Sequence, residues 1–143
     1  MIKFNKKLIF HIDVNSAFLS WSATDKLKQG GKIDLRDIAA VIGGDEQSRR
    51  GVVLAKSMIA KRSGIVTGES LFTARKKCIN LVVVSPDFRL YESCSKAMRK
   101  IFGDYTPLIE KFSIDECYLD VTSYNTSKEA ALKIAYDIKD RIK

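Results

Sequence analysis

Short apolar runs alternate along the chain with stretches in which apolar residues recur at helical spacing. The apolar runs are rich in β-branched residues and have the length of buried strands, at residues 8–13, 38–42, 51–55 and 81–84. Helical spacing predicts helices over residues 57–63 and 70–77, and further helices that begin near Asn15 or Ser16, Pro86 and Thr126. This mixed order of strands and helices predicts an α+β fold.

An acidic pair, Asp115-Glu116, lies between two β-prone runs at residues 112–122, which predicts two strands joined by a tight turn. Asp13 stands at the end of the first predicted strand, directly before a predicted helix. Two strand ends of this kind can bring three carboxylates to one rim of a sheet. An acidic turn exposed only for solubility is the alternative for Asp115 and Glu116 taken alone.

Carboxylate oxygens are the ligands that hard divalent cations such as magnesium prefer, usually beside substrate phosphates. Two such ions stabilise the attacking and leaving oxygens of an in-line phosphoryl transfer. We therefore predict a two-metal site in which Asp13 and Asp115 bridge both ions. Glu116 would reach the ion that activates the nucleophile, and the backbone carbonyl of Val14 would complete the shell of the second ion.

The charge balance favours a polyanionic partner, since the chain of 143 residues carries a net charge of +8. Eight of its lysines and arginines lie between residues 49 and 77, against one acid, Glu69. A solvated face explains most runs of this kind, but Lys61 stands on a short predicted helix that could face a triphosphate. We favour Lys61 over Arg62 for this contact. The free amides of the helix that starts near Ser16 offer a second site for the same anion.

Composition disfavours several other classes of protein. The longest apolar run is too short to span a bilayer, and the N-terminus lacks the apolar stretch of a signal peptide. The three cysteines, Cys78, Cys94 and Cys117, are widely spaced without a CxxC pair, so we expect reduced thiols in a cytoplasmic protein. His11 is the only histidine, which excludes a histidine-based triad within this chain and favours a structural role. The last helical pattern runs to Lys143 without a stop signal, so we expect a fragment of a longer protein.

Several segments resemble, in the right order, the motifs of the Y-family DNA polymerases, the translesion enzymes of the DinB/UmuC type. They are residues 11–18 (HIDVNSAF), 41–45 and 51–55 (VIGGD and GVVLA), 57–68 (SMIAKRSGIVTG) and 113–120 (SIDECYLD). The resemblance implies a palm at residues 1–18 and 80–143, with a ferredoxin-like sheet that carries helices on one face. A small fingers subdomain would be inserted at residues 19–79. The family's thumb and little finger would lie beyond residue 143 and are absent from this chain.

The resemblance also implies roles for individual residues. The metal-binding carboxylates of the family match Asp13, Asp115 and Glu116, and the residue that offers its carbonyl matches Val14. The nucleotide contacts match Asn15, Ser16, Ala17, Phe18, Met58 and Lys61, and the contacts to the replicating base pair match Val52, Leu54 and Gly68.

Phe18 matches the steric gate, whose ring packs under the sugar and excludes a ribose 2′-hydroxyl. Its helical spacing from Trp21 equally predicts an ordinary core residue, and the sequence alone leaves both interpretations open. Three positions depart from the family pattern. Met58 replaces a common tyrosine, Ala55 a common threonine, and Lys61 the more usual arginine, which gives up bidentate phosphate contact for a point charge.

The resemblance implies the addition of deoxynucleotides to a primer 3′ end opposite damaged template, with two Mg²⁺ ions for which Mn²⁺ could substitute. The partners would be primer–template DNA and deoxynucleoside triphosphates, with a sliding clamp or SOS accessory subunit for the full-length protein. We expect the fragment alone to be inactive. One alternative is a non-catalytic, polymerase-like module that binds DNA or protein. A second is a palm-fold nucleotidyl cyclase similar to the diguanylate cyclases, suggested by Gly43-Gly44-Asp45-Glu46.

Overall fold

The computed structural model describes residues 7–45, 51–124 and 127–142. In chain order their helices and strands are β1 (Ile9–Asp13), α1 (Ala17–Lys28), β2 (Ala40–Gly43), β3 (Val53–Lys56), α2 (Met58–Arg62), α3 (Leu71–Lys77), β4 (Val82–Val84), α4 (Phe88–Gly103), β5 (Ile109–Lys111), β6 (Glu116–Asp120) and α5 (Lys128–Arg141). Within these ranges no helix has both the length and the apolar character needed to cross a membrane.

The chain divides into two compact units. The terminal unit consists of Met1–Val14 and Glu92–Lys143, and the middle unit consists of Asn15–Tyr91. Each unit contains one three-stranded sheet, in the order β1-β6-β5 for the terminal unit and β3-β2-β4 for the middle unit.

The sheet of the terminal unit is antiparallel throughout, and β5 and β6 form the predicted hairpin. Its turn lies earlier than predicted, because β5 ends at Lys111 and Glu116 is the first residue of β6. Alternate residues of its strands point into one core together with residues of α4 and α5. That core contains the buried side chains Met98, Phe102, Cys117, Leu119, Val121 and Ile138, and the half-buried Phe10 and Ile12 pack against it. The predicted α+β fold with helices on one face of the sheet is confirmed.

The sheet of the middle unit is mixed, since β3 runs antiparallel to β2 and β4 runs parallel to it. Every residue of β2 is buried, because the two faces of the sheet are covered by different helices. Val41 packs with residues of α2 and α3, whereas Ile42 packs with residues of α1. The predicted pairing of the second and third strands is confirmed, and β2 begins at Ala40, two positions later than the pattern predicted.

Serine and aspartate side chains cap most of the helices. The hydroxyls of Ser57, Ser70 and Ser127 each accept a hydrogen bond from the N–H three residues later. Asp87 does the same for α4, so the helix that Pro86 was predicted to open begins at Phe88. Thr126, the expected start of the last helix, lies outside the described residues.

Candidate active site

The pairing of β1 with β6 places Asp13 directly opposite Glu116. Ile12 and Cys117 point into the core of the terminal unit, so the neighbouring Asp13 and Glu116 point to the opposite face of the sheet. The backbone joins this pair to the third carboxylate, because the Val14 N–H donates to the Asp115 carbonyl at 3.2 Å. The alternation of apolar and polar residues in two strands thus brings the acidic residues of two motifs to one end of the sheet.

The turn between β5 and β6 is held by its own hydrogen bonds. The N–H groups of Phe112 and Ser113 both donate to the Glu116 carbonyl, at 3.1 and 3.2 Å. The Ser113 hydroxyl donates to Asp115 Oδ1 at 2.8 Å. Asp115 is half-buried, and its carboxylate is therefore oriented by the turn that carries it.

The three carboxylates interact electrostatically. Partial desolvation raises the pKa of Asp13, and the negative charges of Asp115 and Glu116 raise it further. His11 opposes these effects. Like charges held this close are unfavourable unless a cation or proton offsets them.

The three carboxylates offer oxygen donors, which hard divalent cations prefer, although the His11 ring nitrogen also lies at this end of the sheet. Among the described residues, however, no group of three or more histidine, cysteine, aspartate or glutamate side chains is already arranged to hold a metal ion. Shared coordination by Asp13, Asp115 and Glu116 therefore stays a prediction.

Aromatic rings lie beside the carboxylates on the same face of the sheet. The His11 ring stacks on Tyr118 with centroids 4.5 Å apart, and Phe112 meets Tyr118 edge-on at 5.9 Å. His11 Nε2 lies 3.4 Å from Glu116 Oε2. Sequence reasoning did not place Tyr118 or Phe112 at the site. The signal was present, since His11 and Tyr118 are each two residues from a predicted ligand and share its strand face.

In the middle unit, Phe18 stacks face to face on Tyr91, with ring centroids 4.4 Å apart and an interplanar angle of 6°. Tyr91 is fully buried, and its hydroxyl lies 2.9 Å from the Ser22 hydroxyl. Phe88 and Trp21 approach the Phe18 ring at 6.0 and 6.5 Å. Phe18 itself is half-buried, so part of its ring faces solvent.

The other predicted nucleotide contacts differ in accessibility. Asn15, Ser16 and Lys61 are exposed, and Met58 is 59% exposed on α2. Ala17 is buried. Ser16 occupies the N-cap position of α1 with a left-handed φ of 48° and without a side-chain cap.

The predicted base-pair contacts are brought together along β3. The Gly68 N–H donates to the Val53 carbonyl at 2.7 Å, between Val52 and Leu54. Val52 is 39% exposed, whereas Leu54 is half-buried against the core. Gly68 has a φ of 89°, a conformation that favours glycine.

The segment that suggested a cyclase is described only as far as Asp45. Gly43 is the last residue of β2, and a Cβ there would approach a methyl carbon of Leu71 to 2.6 Å. Glu46, the acidic residue that would complete the signature, lies outside the described residues.

Comparison with known proteins identifies the family. Residues 12–143 match the model of the impB/mucB/samB family, designated IMS. The chain belongs to this family. It is 57% identical over 137 residues to DNA polymerase IV of Clostridium acetobutylicum, and 37% identical over 138 residues to DNA polymerase IV of Acetivibrio thermocellus. Each alignment covers 96% of this chain but only 34% and 33% of the relative, so the chain spans about a third of the length of these proteins.

The fold is also that of solved Y-family polymerases. The structure of a Y-family DNA polymerase chimera, Dbh-Dpo4(243-245)-Dbh, superposes with a TM-score of 0.82 at 21% sequence identity. This similarity covers 94% of the present chain and 38% of the chimera. The resemblance inferred from the sequence motifs is confirmed.

Proposed function

We propose that this chain is the palm-and-fingers portion of a translesion DNA polymerase, which in full length adds deoxynucleotides to a primer 3′ end. The palm would comprise residues 1–18 and 80–143, and the fingers residues 19–79. The observation that carries the proposal is the position of Asp13 directly opposite Glu116 in an antiparallel sheet, with Asp115 close enough to raise the pKa of Asp13. Relatives of this chain are named DNA polymerase IV, which agrees with the proposal.

Asp13, Asp115, Glu116 and the carbonyl of Val14 would hold two magnesium ions, with manganese as a substitute. When bound, such ions stabilise the charge on the attacking and leaving oxygens of a phosphoryl transfer. The contribution of the protein is to hold these oxygens in place. β1 and β6 fix Asp13 against Glu116, and the turn between β5 and β6 orients Asp115 through the Ser113 hydroxyl.

The middle unit would bind the incoming nucleotide. The face of Phe18 that is not stacked on Tyr91 would lie under the deoxyribose and exclude a 2′-hydroxyl. Lys61 would place a point charge near the triphosphate, with Met58 and the backbone at residues 15–17 completing the contact. Val52, Leu54 and Gly68 would lie against the replicating base pair.

The positive charge of the chain supports DNA as the partner, since a net charge of +8 attracts a polyanion. Binding to primer–template should weaken steeply as salt rises, because each phosphate contact releases condensed counterions. In the cell we expect a cytoplasmic protein of the DNA-damage (SOS) response, recruited by a clamp or an accessory subunit. The 143-residue chain alone should extend primers poorly.

Primer extension by the full-length protein tests the proposal. Wild-type protein should extend a primer with deoxynucleotides and Mg²⁺, and Asp13→Asn or Glu116→Gln should reduce kcat/KM by about a hundredfold or more. Asp120→Asn is the matched control, since Asp120 shares the strand face of Glu116 without belonging to the predicted ligands. Full activity in both ligand variants would refute the assignment. DNA binding without extension would favour the non-catalytic module, and a cyclic dinucleotide formed from GTP would favour the cyclase.

Phe18→Ala tests the sugar gate in the same full-length protein. The variant should incorporate ribonucleotides that the wild type rejects, because the ring that would block the 2′-hydroxyl is gone. Unchanged discrimination between ribonucleotides and deoxynucleotides would show that Phe18 is only a core residue.

A further inference from the structure

The turn that joins α2 to α3 has two glycines in the left-handed conformation and the exposed side chain of Val66 between them. Gly64 and Gly68 have φ values of 80° and 89°, and a Cβ at either position would meet nothing within 4 Å. The glycines are therefore required by the backbone conformation and not by crowding. The hydrogen bond from the Glu69 N–H to the Val66 carbonyl is long, at 3.3 Å. At its Gly68 end the turn is bonded to β3, since the Gly68 N–H donates to the Val53 carbonyl at 2.7 Å and the Val53 N–H donates to the Glu69 carbonyl at 2.9 Å.

The side chains of Glu69 and Lys77 stabilise this turn. Glu69 accepts the Val66 N–H through Oε1 at 2.9 Å and binds Lys77 Nζ through Oε2 at 2.6 Å. The same ammonium donates to the Gly64 carbonyl at 2.8 Å. The hydrogen bond from Lys77, followed by that from the Val66 N–H, lowers the pKa of Glu69, so its carboxylate stays charged at neutral pH. We call Lys77 and Glu69 the turn clamp.

The turn clamp connects two parts of the proposed nucleotide site. Gly64 lies two residues beyond the end of α2, the helix that carries Met58 and Lys61, and its N–H donates to the Lys61 carbonyl at 3.0 Å. Gly68 lies at the other end of the turn and is bound to β3 through the Val53 carbonyl. Lys77 lies in the last turn of α3, and its ammonium contacts both the Gly64 carbonyl and the carboxylate of Glu69, the residue after Gly68.

Lys77 and the neighbouring Lys76 make different contacts. Two of the three donors of its ammonium are used by the Gly64 carbonyl and the Glu69 carboxylate, which leaves little capacity for a phosphate. Lys76, by contrast, lies over the exposed Phe72 ring, 4.4 Å from its centroid. A basic stretch read as a phosphate-binding surface thus contains one lysine with an internal role.

We propose that Lys77, acting through Glu69, is a positioning residue that holds the triphosphate-binding helix and the base-pair-facing turn in a fixed relation. This inference rests on the proposed function and deepens it: the turn clamp would make nucleotide binding depend on a correctly shaped base pair. Loss of the turn clamp should therefore reduce selectivity between correct and incorrect nucleotides more than it reduces catalysis.

Amide hydrogen exchange on the present chain tests the positioning directly. In Lys77→Met the amides of Val66 and Gly68 should exchange faster by about two- to tenfold, because the turn loses its anchor. Lys76→Met removes the same charge from the same helix and should leave both amides unchanged. Equal protection of Val66 and Gly68 in the two variants would overturn the inference.

Single-nucleotide insertion by the full-length protein tests selectivity. Lys77→Met should lower the ratio of kcat/KM for correct over incorrect nucleotides by about two- to tenfold, mainly through a higher KM for the correct one. Glu69→Gln keeps an acceptor for the Val66 N–H but loses the ion pair, and should give a smaller effect in the same direction. If Lys77→Met folds poorly, Glu69→Gln still tests the role of the ion pair.

Two outcomes distinguish the proposed function from the role of the turn clamp. A wild-type protein that cannot extend primers would overturn the proposed function and the selectivity role together. An active wild type whose selectivity is the same in Lys77→Met, Glu69→Gln and Lys76→Met would overturn only the role of the turn clamp.

Discussion

Asp13→Asn should stabilise this protein in the absence of divalent cations. Asp13 and Glu116 face each other across β1 and β6, and like charges directly opposite in an antiparallel pair are destabilising. Asparagine keeps the size and polarity of the side chain while removing one of the two charges. A site kept for function should therefore lower the stability of the free protein.

The magnitude follows from the geometry of the pair. Cross-strand pairs contribute roughly 0.2–1 kcal/mol, and Asp13 is exposed, so solvent screening places the expected gain near the lower half of that range. For a chain of this size about 0.5 kcal/mol corresponds to an increase of about 1–2 °C in Tm. Because the effect is electrostatic, it should shrink when NaCl is raised to about 1 M.

The pH dependence has a definite sign. The pKa of Asp13 is raised in the folded state, so the folded protein binds more protons than the unfolded chain in the range just above the ordinary pKa of an aspartate. The stabilisation that the wild type gains from protonation of Asp13 is therefore fully present at lower pH. It is lost as the pH rises through the raised pKa, so the advantage of the variant appears there and persists at neutral pH.

Urea unfolding at several pH values, followed by far-UV circular dichroism, measures this difference. Asp120→Asn is a control of opposite sign, since hydrogen bonds from the Thr122 side chain and backbone lower the pKa of Asp120. Its carboxylate accepts the Thr122 N–H at 3.0 Å, so its neutralisation should be destabilising at neutral pH. An Asp13→Asn protein that is less stable than the wild type at pH 7, at any salt concentration, would refute the reasoning.

Three further substitutions test the packing of the two units by urea or thermal unfolding. Ser57→Ala should cost about 1–3 kcal/mol, because the buried hydroxyl caps α2 and also binds the Ala40 N–H and the Ile38 carbonyl. Phe102→Ala should cost about 3–5 kcal/mol, since this ring is fully buried in the core of the terminal unit. Gly51→Ala should cost about 1–3 kcal/mol, because its Cβ would come within 2.9 Å of a backbone carbonyl oxygen. A loss below about 0.5 kcal/mol in any of them would contradict the contact on which it depends.

Much of the fold could be predicted because apolar alternation and helix caps are local signals. The apolar run at residues 8–13 and the β-prone runs around Asp115-Glu116 were sufficient to predict strands that bring the acidic residues to one end of a sheet. Ser57 and Ser70 marked the starts of two helices correctly. These signals depend on the chemistry of residues within a few positions, which a sequence displays directly.

Other features depend on contacts that no local pattern reports. The stacking of His11 on Tyr118 follows from the register of two strands that are distant in sequence. The bond from Lys77 to the Gly64 carbonyl spans 13 positions and lies in a basic stretch whose members look alike. The left-handed conformation of Ser16 was also unpredicted, since serine suggests a conventional side-chain cap.

The two interpretations of Phe18, a core residue and a sugar gate, are compatible with each other in the structure. Its spacing from Trp21 predicts a core residue, and the family motif predicts a ring exposed to the nucleotide sugar. In the structure one face of the ring stacks on Tyr91, which is buried and bonded to Ser22, while the ring remains only half-buried. A ring that excludes a hydroxyl by contact must resist displacement, and packing against a fixed neighbour provides that resistance. The two interpretations therefore require the same residue type at the same spacing, and only a measurement of sugar selectivity separates them.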